Sequence, residues 1–175
     1  QGVRILRVDL VADGAPAVVE QRAVEGQLVA ARMINGTARL VVRSMMPVST
    51  ELQRSGDIAE ARTTIDEMTS SDVMPRAESL DGDGVESLGG CGDVAVLPVV
   101  EVDTSDPLTN DFVATSLAVE PSTVSVLTVG DDLGDLAPTT VAGLADVVYA
   151  STESMFVTSA GWDGSGPQTL VHQFD

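Results

Sequence analysis

Apolar and polar positions alternate from the start of the chain. Val3, Ile5, Val8 and Leu10 interleave with Arg4, Arg7 and Asp9, with Leu6 interrupting the strict period. A period of two puts one set of side chains on one face of a sheet, so residues 3–10 predict a strand. Ala12-Asp13-Gly14-Ala15-Pro16 has the composition of a turn. Residues 18–24 predict a second strand, which Gly26 ends.

The strongest local signal follows. Residues 28–34 and 37–43 are two β-prone apolar runs separated by Asn35-Gly36. A tight type I′ hairpin turn needs positive φ at both central residues, which Asn and Gly tolerate at little cost. A hairpin is therefore expected here.

Between residues 49 and 76 the alternation is lost. Glu51-Leu52, Ile58-Ala59-Glu60-Ala61-Arg62 and Ile65-Asp66-Glu67-Met68 fit a helical period, predicting one or two short helices before Pro75. Residues 80–92, with Asp81-Gly82-Asp83-Gly84 and Gly89-Gly90-Cys91-Gly92, read as a loop. Strands are expected again at 94–102, 112–119, 124–129, 147–150 and 155–158. Residues 130–135 form an Asp- and Gly-rich loop, residues 161–167 a turn-rich connection, and residues 169–175 a last strand.

The chain also repeats itself, a feature that decides the fold when present. Placing Gly26 on Gly143 sets residues 28–41 beside residues 145–158, with Asn35-Gly36 against Thr152-Glu153. Ile5-Leu6-Arg7-Val8 matches Val126-Leu127-Thr128-Val129 after a small shift, and residues 170–175 match residues 4–9. One unit reads strand, turn, strand, hairpin, then the strand that opens the next unit. Propeller blades are four-stranded antiparallel sheets of about 40–45 residues, and a closed ring needs roughly four to eight of them. The expected fold is mainly β: about two antiparallel propeller-type blades with a short helical and loop insertion, a partial β-propeller. Residues 1–45 carry the first blade strands and the Asn-Gly hairpin, 46–92 the insertion, and 93–175 the second blade region with the opening strand of the next. The open edges of such a piece invite strand pairing, so the remaining blades are expected in the same precursor or on a companion chain.

Composition narrows the function. Acidic residues number 27 against nine basic ones, all nine Arg, giving a formal charge of −18. A surface of that sign repels phosphate backbones and anionic lipid, which excludes nucleic acid as the expected partner. No apolar run reaches the roughly 18–20 residues that span a bilayer as a helix, so this segment is not expected to insert in a membrane. Gln1 leads at once into a strand with no signal sequence before it, which fits a mature or truncated product.

Candidate chemistry is sparse. Asp81, Asp83 and Glu86 in one acidic stretch and Asp131, Asp132 and Asp135 in another offer the hard oxygens that Ca²⁺ prefers, although neither has EF-hand spacing. The competing reading of each is a solvated turn. Trp162 and Asp163, on the Gly-rich connection, are candidate binding residues, with a blade-core Trp as the alternative. His172 is the sole imidazole base, and no Gly-x-Ser-x-Gly elbow accompanies it, so an interblade histidine is the better reading. Cys91 is a lone thiol, read as structural or disulfide-bonded. Asn35-Gly36-Thr37 matches a glycosylation sequon that the hairpin turn already accounts for.

Val24-Glu25-Gly26-Gln27-Leu28-Val29-Ala30-Ala31-Arg32-Met33-Ile34-Asn35-Gly36 resembles the blade hairpin of secreted bacterial proteins that carry a C-terminal β-propeller domain distantly related to WD40 repeats. Ser71-Asp72-Val73-Met74-Pro75-Arg76 looks like that family's inserted Asp-aromatic-apolar-Pro element, with Val73 in the aromatic place. Val147-Val148-Tyr149-Ala150-Ser151, Met155-Phe156-Val157-Thr158 and Val171-His172-Gln173-Phe174-Asp175 resemble the next blade and its exit. The resemblance implies export, to the medium or the cell surface, and a propeller fold, and carries over no catalytic residue. The functional expectation is a non-enzymatic scaffold that binds the remaining blades and another extracellular protein or ligand. The alternative is part of an exported enzyme whose acidic or metal-dependent site forms only in the complete propeller.

Overall fold

The computed structural model describes residues 2–10, 14–46, 57–69, 72, 74–80, 82, 84–95, 122–130, 132–134, 136–143, 145, 147–163 and 166–174. They form three sheets. Sheet I has the order β1 (Gly2–Asp9), β2 (Ala17–Glu25), β5 (Arg76–Ser79), β6 (Val85–Ser87). Sheet II has the order β3 (Gln27–Ile34), β4 (Thr37–Met45), β8 (Ser122–Val129), β9 (Leu136–Ala142), with the two-residue β7 (Val94–Ala95) laid parallel to β9. Sheet III has the order β10 (Val147–Ala150), β11 (Met155–Asp163), β12 (Gly166–Phe174). All other pairings are antiparallel, and α1 (Ile58–Glu67) is the single α-helix of length among the described residues.

Sheet II lies between the other two. Successive residues of a strand point to opposite faces, and in β4 both faces are apolar: Val41 and Val42 are each buried, Val41 with Ile34, Val124, Val126, Met155, Val157 and Phe174 toward sheet III, Val42 with Ile5, Val24, Ala77, Leu127 and Leu136 toward sheet I. Two cores on the two faces of one sheet give blade-on-blade packing. The first strands of the sheets, β1, β3 and β10, approach one another in turn.

The expected hairpin forms. Asn35 and Gly36 take φ of 50° and 78° between β3 and β4, the left-handed pair that a type I′ turn requires. The repeat is also present, down to its register. The cross-strand pairs Ala30/Val41, Ala31/Leu40, Arg32/Arg39 and Met33/Ala38 return 117 residues on as Val147/Thr158, Val148/Val157, Tyr149/Phe156 and Ala150/Met155. Ile5/Arg22, Leu6/Gln21 and Arg7/Glu20 return as Val126/Thr139, Leu127/Pro138 and Thr128/Ala137, which is the small shift seen in the sequence. β12 pairs with β11 as β8 pairs with β4. Gly26 and Gly143, the anchors of the alignment, both have positive φ and both stand where the chain crosses from one sheet to the next. The strands within residues 1–45 accordingly divide between sheets I and II.

Three local expectations are corrected. Residues 80–92, read as loop, contain β6, which pairs with β5 and extends sheet I; buried Ala77 and Leu88 anchor a hairpin whose short strands are outweighed in composition by Gly82, Gly84, Gly89 and Gly90. Residues 136–142, assigned no strand, form β9. Pro138 masks it, yet β7 pairs only at Thr140 and Val141, so Pro138 lies on the stretch of β9 that β7 leaves unpaired. Residues 161–167 are not a long connection: Gly161, Trp162 and Asp163 pair with Gln168, Pro167 and Gly166 as the closing end of the β11–β12 hairpin. Of the helices expected over 49–76, α1 is present. Of the strands expected at 94–102 and 112–119, Val94–Ala95 is present and the rest lies outside the described residues.

Candidate functional site

The densest polar arrangement is built on β2. Val24 points to the core between sheets I and II, and the strand period puts Arg22 and Glu20 on that same face. Arg22 is 8% exposed. Its Nη1 donates to the carbonyls of Leu133 (2.9 Å) and Gly134 (3.1 Å), and its Nη2 pairs with Glu86 Oε1 at 2.7 Å. Glu20 Oε1 accepts from the Leu133 amide at 2.9 Å, while its Oε2 pairs with Arg7 Nε at 3.3 Å. One guanidinium thus ties the β8–β9 loop of sheet II and the inserted hairpin to sheet I. A buried cation needs a partner and filled hydrogen bonds, and here it has both. The sequence signal of this clasp is a charged residue, Arg22, on the strand face that Val24 marks as core.

This arrangement gives Glu86, one of the acidic candidates, an ion pair with Arg22. Asp132 accepts a hydrogen bond from the Gly134 amide at 3.1 Å within its own turn. Asp81, Asp83, Asp131 and Asp135 lie outside the described residues, and among the described residues no three His, Cys, Asp or Glu side chains gather as a metal site. Trp162 and Asp163 stand at the end of the β11–β12 hairpin; their side chains lie outside the description. Cys91 begins a short 3₁₀ turn, Cys91–Asp93, in which Asp93 Oδ2 accepts from the Gly90 amide at 2.8 Å.

His172 faces inward on β12, opposite Val157, with Nε2 3.1 Å from Ser159 Oγ. Partial burial pushes its imidazole pKa below the ordinary value, because desolvation disfavours the cation. Ser159 is 2% exposed. A nucleophile must reach its substrate, so this Ser–His contact is a packing contact between strands.

The outward faces of the end sheets carry apolar side chains. On sheet III, Val147, Tyr149 and Val171 share the face turned from sheet II; on sheet I, Leu6 and Val8 do the same. Tyr149 leans on Phe156 with ring centroids 6.4 Å apart. Among the described residues no helix is long and apolar enough to cross a membrane.

Repeated antiparallel sheets, each packed face to face on the next and joined at a positive-φ glycine, define a propeller-type blade stack that is not closed on itself. A family model described as a beta propeller domain matches residues 1–175, and the chain belongs to that family. No curated protein matches the chain, and no solved structure does.

Proposed function

We propose that the chain is part of an exported β-propeller that works as a non-enzymatic interaction scaffold. Its two outer sheet faces seat further blades, carried on the same precursor or on a companion chain. The insertion and the end of the β11–β12 hairpin form the surface for another extracellular protein or ligand.

One observation carries the reading. Positions that the repeat buries in sheet II stand open on the end sheets. Val126 is 3% exposed beneath sheet III, whereas its counterpart Val171 on sheet III is 64% exposed; Leu127 is fully buried beneath sheet I, whereas its counterpart Leu6 is 48% exposed. The same sequence positions are core in one unit and surface in the next, as expected where a neighbouring blade supplies the cover. Burying one such side chain is worth about 1.5–3 kcal/mol. The family match supports a propeller scaffold in general, and export is supported by the resemblance of the blade hairpin alone.

The test is the native mass of the protein purified from its source, with identification of every co-purifying chain. Association with a chain or segment bearing the same blade repeat, abolished by Tyr149→Glu or Leu6→Glu without loss of secondary structure, is the expected result. A stable particle of 18.1 kDa with no companion, unchanged by either substitution, overturns it.

A further inference from the structure

The repeat puts three residues in one position: Ile5 on β1, Val126 on β8 and Val171 on β12. Leu6, Leu127 and His172 follow them, each on the opposite face of its sheet. Ile5 is buried facing sheet II and Val126 facing sheet III, whereas Val171 carries the same face on sheet III and is 64% exposed. Leu127 is buried facing sheet I and His172 faces sheet II, whereas Leu6 carries that face outward on sheet I. Both packing contacts within the chain therefore join an Ile5-type face to a Leu127-type face. The two uncovered faces are one of each kind: Ile5-type on sheet III, Leu127-type on sheet I.

Net charge is kept off both faces, although the chain carries −18 overall. On the outer face of sheet III, strand alternation sets Val147, Tyr149, Phe156, Thr158, Thr169 and Val171, all uncharged. On the outer face of sheet I it sets Arg4, Glu25, Arg76 and Glu78 around Leu6 and Val8, two residues of each sign. Surfaces that carried their share of the net charge would repel a second copy of the chain, and these do not. An exposed apolar area with little net charge, rimmed by polar groups, has the make-up of an association surface.

We infer that a second copy of this chain covers these faces, the outer face of sheet I of one copy packing on the outer face of sheet III of the other as sheet II packs on sheet I. The contact joins two different patches, so it is heterologous and must close on itself to stay finite. Two copies of three sheets each bring six, within the roughly four to eight blades that close a propeller ring. The pairing rests on the scaffold reading and gives its companion chain an identity.

The experiment is sedimentation of the purified 175-residue chain at about 1–100 μM, a range that reaches the micromolar affinity of weak specific contacts. A particle of twice 18.1 kDa is expected. Val171→Glu and Leu6→Glu each weaken the association about tenfold or more, because each buries a charge without a partner. Mixing the two variants restores association in part, since the intact sheet III face of Leu6→Glu still meets the intact sheet I face of Val171→Glu. A patch that pairs with itself would leave one variant at wild-type strength, and that result overturns the inference, as does open-ended growth past two copies. An 18.1 kDa particle at every concentration overturns it too. In that case, companion blades found with the protein purified from its source leave the scaffold reading standing, whereas their absence removes both. Val147→Glu, at another exposed position of the same face, replaces Val171→Glu if that variant fails to fold.

Discussion

The guanidinium of Arg22 reaches the main-chain carbonyl of Leu133 at 2.9 Å, joining residues 111 positions apart in sequence. That bond, with those to Gly134 and Glu86, makes the inserted β5–β6 hairpin and the β8–β9 loop depend on a strand near the start of the chain. Arg22→Ala leaves two main-chain acceptors and a buried hollow without their donor. The expected cost is about 2–4 kcal/mol by urea denaturation, since each unsatisfied buried group costs about 1–3 kcal/mol. Glu86→Gln keeps an acceptor for the guanidinium but removes the countercharge of a buried cation, so it costs less, about 1–2 kcal/mol. Equal costs for the two variants would show that the ion pair, and not the carbonyl contacts, holds the loop.

Gly26 and Gly36 separate a conformational requirement from a spatial one. Both have positive φ, yet a methyl added at Gly36 meets nothing within 4 Å, whereas at Gly26 it comes within 2.6 Å of the Arg43 carbonyl and closes on the Ser44 hydroxyl as well. Ser44 Oγ already donates to the Glu25 carbonyl at 2.7 Å, fixing the crossing between sheets I and II. Gly36→Ala is expected to cost about 1 kcal/mol, a backbone penalty alone. Gly26→Ala is expected to cost clearly more, about 2–4 kcal/mol, because overpacking adds to strain. Melting of the two variants side by side checks this, and Gly143→Ala should behave as Gly26→Ala does if the two glycines serve the same crossing.

Leu127 is fully buried between sheets I and II, and Leu6, its repeat counterpart, is half exposed on the outer face of sheet I. Leu127→Ala should therefore cost about 2–5 kcal/mol, whereas Leu6→Ala should stay within about 0.5 kcal/mol in the isolated chain. If the covering blades are restored, the cost of Leu6→Ala should rise toward that of Leu127→Ala. A Leu6→Ala penalty that stays flat on addition of the rest of the propeller would separate the fold from the proposed assembly.

How far the fold was legible follows from these same residues. The Asn35-Gly36 hairpin and the repeat could be read because turn chemistry and register are local, and the offset that aligned Gly26 with Gly143 also aligned four cross-strand pairs of the hairpin. β6 and β9 could not, because a three-residue strand beside glycines and a strand bearing Pro138 draw their stability from partners distant in sequence. The Arg22 clasp depends on Leu133 and Gly134, whose approach is set by sheet packing, so spacing gives no hint of it. The acidic clusters stood out in composition, yet Glu86 is engaged by Arg22.

Acid should loosen the packing of sheet III on sheet II through His172. Its folded pKa is lowered by desolvation, so below the unfolded value of about 6.5 the unfolded chain binds more protons than the folded one, and stability falls as pH drops. Above that pH the imidazole is neutral in both states and contributes no slope. Its hydrogen bond to Ser159 holds in the neutral form with Nε2 as either donor or acceptor, whereas the cation places a charge beside Val157 on the inward face. Carboxylates add acid sensitivity of their own: Asp72, whose pKa is lowered by hydrogen bonds from Thr69, contributes stability that is lost only as pH falls through its depressed value, well below the window of the histidine. Urea denaturation of the wild type and His172→Gln at pH 7.5 and 5.5 separates the two. The wild type should lose more stability over that interval than the variant, and equal losses would show that His172 does not carry the acid sensitivity there.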